Sequence, residues 1–146
     1  MNNFIKLYLL SSLSLSFINA DTTKFGLGSC LDQDYPQPIW KAIKKEDLDY
    51  FVFLGDNVYG DLPSGSLRKM VSAYKKQKNN FPEWMKNVEI LPIWDDHDYG
   101  LNDAGSEYPL KRQSQEIYLN FWGIPLDDDR HNSCLLYTSD AADDGL

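Results

Sequence analysis

The chain has 146 residues, with 14 basic and 22 acidic side chains, a net charge of −8 and two cysteines. That length holds at most one modest domain with a real core, and 42% hydrophobic with 14% aromatic content excludes a wholly disordered chain. The acid excess excludes a general nucleic-acid binder, which needs a basic face for phosphates, and two cysteines cannot make a disulfide scaffold.

Residues 1–20 read as an export signal. Lys6 is its single charge, an apolar stretch from Leu7 to Ile18 is diluted by serines, and Ala20 offers a small residue before the cut. No twin arginine is present, so general secretion to a periplasmic or extracellular location is expected. No run reaches the roughly 20 apolar residues of an ordinary membrane span, so none is expected after signal removal.

The segment that follows alternates between strand and helix signals. Lys24 to Cys30 reads as a short strand ending in a glycine-loosened turn, and Pro38-Ile39-Trp40 starts a helix with proline in its first turn. Asp49-Tyr50-Phe51-Val52-Phe53-Leu54-Gly55 is a continuous aromatic and β-branched run, the pattern of a strand covered on both faces. From Ser66, Leu67, Met70, Val71 and Tyr74 fall at helical spacing and read as a core-facing stripe, with the helix dissolving into 75–80. Phe81-Pro82-Glu83-Trp84 begins a short helix. Glu89 to Trp94 is a third strand, placed near an edge or a strand end by Pro92. Leu110 to Trp122 is a last helix, stopped by Gly123 and Pro125. The fold class expected from this order is α/β, a layered sheet flanked by helices. Asp127-Asp128-Asp129 reads as a solvated acidic loop, without the glycine and glutamate offsets of an EF-hand.

Cys134-Leu-Leu-Tyr-Thr-Ser-Asp-Ala-Ala-Asp resembles, letter for letter, one reading frame of a transposase adapter used in sequencing libraries. Residues 134–146 are therefore expected to be a non-native tail. The expected domain is 21–133, with 13 basic and 19 acidic side chains and Cys30 as its one thiol. An unpaired thiol is unusual in an oxidising compartment.

Chemistry gathers at the strand ends, where open α/β sheets place their sites. Cys30 closes the first strand, Asp56-Asn57-Val58-Tyr59 follows the second, and Asp95-Asp96-His97-Asp98 follows the third. Singly, Cys30 reads as a small buried hydrophobe, Asp56 as a turn cap and Tyr59 as a packing residue. The tetrad is different: adjacent carboxylates repel unless cations or protons are supplied. Parallel neighbouring strands would bring thiol, phenol, carboxylates and imidazole together, a donor set that points to metal.

Gly28-Ser29-Cys30, Gly55-Asp56-Asn57-Val58-Tyr59 and Trp94-Asp95-Asp96-His97-Asp98-Tyr99-Gly100, followed by Asn102-Asp103, resemble the motif series of PhoD-like alkaline phosphatases. These belong to the wider calcineurin-like metallophosphatase group. The resemblance runs from Phe25 to about His131 and implies a metallophosphatase-type sheet. It implies Cys30 as the first metal ligand, Asp56 as a bridge between two metals, and Tyr59 as a phenolate on one of them, expected to be ferric iron (Fe3+). Asp96 would ligate the second metal, expected to be calcium (Ca2+), and His97 would face the substrate phosphoryl group. Asn102 would contact the second metal or the phosphate. The implied function is a secreted phosphomonoesterase or phosphodiesterase with a phosphate ester as substrate.

The best-known members' amino-terminal β-domain and twin-arginine signal are missing, and so are the family's downstream Gly-Asp-x-His-type blocks. The 146 residues are accordingly expected to hold an incomplete, inactive site and an exposed apolar sheet edge. The alternative function is a non-catalytic calcium-binding secreted module. Substrate, mono- versus diester preference and oligomeric state are left open by the sequence.

Overall fold

The structure, a computed structural model, describes residues 22–133, so the expected signal at 1–20 and the adapter-like tail at 134–146 lie outside the described residues. Three short runs rich in aromatic or aliphatic side chains form strands β1 (Phe25–Gly28), β2 (Tyr50–Leu54) and β3 (Glu89–Ile93). They pair in parallel in the order β1-β2-β3, with Phe25 opposite Tyr50 and Tyr50 opposite Glu89. Parallel pairing requires crossovers, and helices supply them. Between β1 and β2 lies α1 (Trp40–Ile43), which tightens into a 3₁₀ turn at Lys44–Glu46. Between β2 and β3 lies α2 (Met70–Asn80), entered through a 3₁₀ turn at Leu67–Lys69 and followed by another at Glu83–Asn87. After β3 come α3 (Asp96–Tyr99), α4 (Lys111–Trp122) and a final 3₁₀ turn at Asp129–His131. The chain is thus a mixed α/β fold on a small parallel sheet.

Pro92 sits in β3, an edge strand of the three, where a residue without an N–H is tolerated. Gly123, at φ 68°, ends α4 in the left-handed conformation that glycine adopts without penalty.

Two expectations change. The lysine- and asparagine-rich stretch 75–80 does not fray: α2 runs through Asn80. Its buried side is Met70, Ala73, Tyr74 and Gln77, while Val71 is exposed. Helical geometry explains this, because 70, 73, 74 and 77 share one face and 71 lies about 100° away. Likewise, β2 is covered on one face only. Phe51 and Phe53 are buried, whereas Leu54 on the opposite face is 45% exposed. On that face Phe25, Leu27, Leu91 and Ile93 are also exposed, and no described element packs over them.

The covered face supports one aromatic core. Trp40 of α1 meets Phe51 edge-on at 5.6 Å between ring centroids, and Phe51 meets Phe53 at 4.8 Å. Met85, Phe81, Trp84 and Ile90 complete it. A second core binds α2 to α4 through Met70, Tyr74, Tyr118 and Leu119, and reaches Val58, Trp94 and Tyr99 beside the strand tips. Each buried large apolar side chain contributes roughly 1.5–3 kcal/mol. No helix among the described residues is long and apolar enough to cross a membrane.

Candidate metal centre

The loops leaving the three strands converge because backbone hydrogen bonds tie them. Cys30 N–H donates to Gly55 O at 3.2 Å and Leu31 N–H to Asp56 O at 2.8 Å, zipping the first loop to the second. The second and third meet at Gly55, where φ is 99° and any Cβ would lie 2.5 Å from the Asp95 Cβ. Only glycine fits both the backbone angle and the approach. Cys30 and Asp56 themselves have positive φ, 57° and 50°, uncommon for residues with a Cβ. Backbone held in such regions clusters at functional sites.

Asp56 is the centre of the arrangement. On one side, its Oδ2 accepts from the Tyr59 hydroxyl at 3.0 Å and from the Cys30 thiol at 3.5 Å. Asp56 also stands with Asp96 and His97 in a group whose ligand atoms all lie within 4.8 Å of one another, a set that fits a metal ion. Asp96 is oriented by two backbone donors, His97 N–H at 2.8 Å on Oδ1 and Asp103 N–H at 2.7 Å on Oδ2. Each of its oxygens still has a lone pair to offer.

The residues test well against a bound cation. Asp56 Oδ1 is buried and finds no hydrogen-bond partner among the described residues, an uncommon condition for a carboxylate oxygen. A cation would satisfy it. Burial first, then hydrogen bonds with Cys30 and Asp56, push the Tyr59 phenol well above its ordinary pKa, so without a cation it stays a proton donor to Asp56.

The tetrad after β3 divides its labour. Asp95 is the N-cap of α3: its carboxylate accepts from Asp96 N–H at 2.9 Å, and its own N–H donates to Asp98 Oδ2 at 3.2 Å. Asp98 is fully buried and faces inward, where it accepts from Asn57 N–H, the Asn57 amide and the Tyr74 hydroxyl. Burial lifts its pKa to about 7 against the pull of those donors. Asp98 is therefore a structural clasp between the second and third loops, leaving Asp96 and His97 to face Asp56.

Cys30 joins the cluster through Asp56 but is exposed. Asn102 is exposed and donates to the Asp103 carboxylate at 2.5 Å; its neighbour's backbone, not its own amide, touches Asp96.

Sequence reasoning missed Asp61. Its Oδ1 lies 2.8 Å from His97 Nδ1, and both side chains are largely buried. Burial alone would lower the imidazole pKa, but the hydrogen bond and charge of Asp61, with Asp56 and Asp96, raise it overall. The Tyr59 ring packs on the imidazole at 4.4 Å between centroids. The signal was available: Asp61 lies two residues beyond Tyr59, in the same irregular segment.

Comparison with protein-family models, with curated proteins and with solved structures gives no match to this chain.

Proposed function

We propose that this protein is a secreted, metal-dependent phosphoric ester hydrolase of PhoD-like type, built on a metallophosphatase-type sheet. One observation carries the reading: Asp56 stands between Cys30 and Tyr59 on one side and Asp96, with His97 beside it, on the other. A carboxylate shared in this way suits a pair of neighbouring cations, the arrangement used for in-line phosphoryl transfer.

Cys30, Asp56 and Tyr59 would hold the first cation, iron(III), since phenolate and carboxylate oxygens suit a hard trivalent ion. Asp56 and Asp96 would hold the second, calcium, whose oxygen preference they match. Asn102 is the remaining candidate for that cation or the phosphate. When bound, the two cations supply Lewis acidity and neutralise charge building on the phosphoryl group. His97, fixed by Asp61, hydrogen-bonds phosphoryl oxygens or delivers a proton to the departing alkoxide. Residues 1–20 would direct export.

Phosphoester turnover tests this. The full-length protein is expected to release p-nitrophenol from p-nitrophenyl phosphate or bis(p-nitrophenyl) phosphate, lose that activity to a chelator, and regain it when metal is restored. Calcium binding without turnover on either ester would favour the non-catalytic calcium-binding module. An active but colourless enzyme would overturn the iron(III) assignment.

A further inference from the structure

We propose that Gln33 positions Tyr59 for the cation placed between Cys30, Asp56 and Tyr59, an inference that rests on the metal-centre reading above. Gln33 is a polar residue only 3% exposed, yet it lies in no regular element and reaches no other site residue. Its amide engages the Tyr59 backbone on both sides. Nε2 donates to Tyr59 O at 3.1 Å, and Oε1 accepts from Tyr59 N–H at 2.8 Å.

A primary amide carries a donor and an acceptor in one plane, so it can stand in for the facing peptide of a neighbouring strand. That is the role Gln33 fills. The segment after Asp56 has left β2 and has no ladder partner, so the Tyr59 backbone would otherwise have both polar groups part-buried and unpaired. Gln33 is itself anchored, its carbonyl accepting from the Asn80 amide at the end of α2 at 3.0 Å. With the bonds from Cys30 to Gly55 and from Leu31 to Asp56, it continues the connection between the first and second loops by one more step. Holding Tyr59 on both sides of its Cα fixes the direction in which the phenol leaves the chain. The result is a hydroxyl 3.0 Å from Asp56 Oδ2, with its ring packed at a tilt of 51° against His97. Outer groups that orient a metal ligand typically change metal affinity or activity 10–100-fold when removed.

The test uses the metal-free full-length protein titrated with iron(III), read by visible absorption and by chelator competition. The unaltered protein is expected to show a charge-transfer band that Tyr59→Phe removes. Gln33→Met keeps length and loses both hydrogen bonds. It is expected to shift or weaken the band and to lower iron(III) affinity roughly 10–100-fold, whereas a merely structural role would lower thermal stability and leave the band alone. Gln33→Glu retains the acceptor for Tyr59 N–H and is expected to recover part of that loss. Should Gln33→Met fail to fold, Gln33→Glu carries the test, and a band and affinity equal to those of the unaltered protein would overturn the inference. The same equality in a folded Gln33→Met would overturn it directly. Iron(III) binding without a Tyr59-dependent band would overturn it while leaving the metal centre standing. Absence of metal uptake by the unaltered protein would overturn both.

Discussion

His97 is the side chain whose chemistry depends most on a neighbour. Asp61 engages Nδ1 at 2.8 Å, which settles the ring's orientation and turns Nε2 toward whatever lies opposite. Asp61→Asn keeps the shape and removes the charge. If His97 delivers a proton as proposed, this change in the full-length protein is expected to leave metal content unaltered and lower kcat roughly 10–100-fold with little effect on KM. The deficit should be larger for an alkyl phosphate than for p-nitrophenyl phosphate, whose leaving group needs no proton. Steady-state kinetics on both esters with elemental analysis checks this; metal loss with unchanged turnover per bound metal would make His97 a ligand instead. At this scale the sequence was informative about residue type and poor about direction. The pattern Asp95-Asp96-His97-Asp98 marks a site, but which carboxylate turns inward is decided by Asn57 and Tyr74, 41 and 24 residues from Asp98. No local pattern encodes that.

Short elements decide where those side chains end up. The turn α3 has only four residues, so its stability comes from the Asp95 cap and from Asp98 rather than from helix propensity. The turn Asp129–His131 is built on the same principle. Asp128 accepts from Arg130 N–H at 2.9 Å and grips the Arg130 guanidinium through both carboxylate oxygens, at 2.8 and 2.7 Å. Within the acidic run 127–129, read as a solvated loop, Asp128 is an anchored cap, while Asp127 and Asp129 are exposed. The Arg130 side chain, then its N–H, holds the Asp128 carboxyl well below the ordinary carboxylate pKa. A depressed acid stabilises the fold above its unfolded pKa, near 3.8, and that contribution disappears as pH falls further. Asp128→Asn is expected to melt lower than the unaltered chain at neutral pH, with the two melting curves converging below about pH 4. Melting temperature against pH checks it, and a constant gap would contradict the linkage. The three strands were legible as short aromatic or aliphatic runs, and α4 as a helical stretch closed by Gly123, whereas only the first part of α2 was. Val71 was misread because four apolar positions fit helical spacing on two neighbouring faces, and only the packing of α2 on α4 selects one.

For the whole molecule, the parallel order β1-β2-β3 is what makes a shared site possible, since it brings three carboxyl-terminal strand ends to one edge. Alternation of strands and helices predicted the α/β class, and the strand-end positions predicted that Cys30, Asp56, Tyr59 and the Asp95–Asp98 tetrad would lie near one another. They did not predict the open apolar face carrying Phe25, Leu27, Leu91 and Ile93. A buried parallel strand and a half-covered one share the same apolar run, because coverage depends on distant elements rather than on local sequence. In the proposed centre Asp56 joins two cation positions. The most direct test is the metal content of the full-length protein with and without Asp56→Ala, measured by elemental analysis beside phosphoester turnover. Two cations per unaltered chain, loss of both on substitution, and a fall in kcat of about 100-fold or more are expected. Retention of both cations by Asp56→Ala, with turnover intact, would contradict the proposed centre.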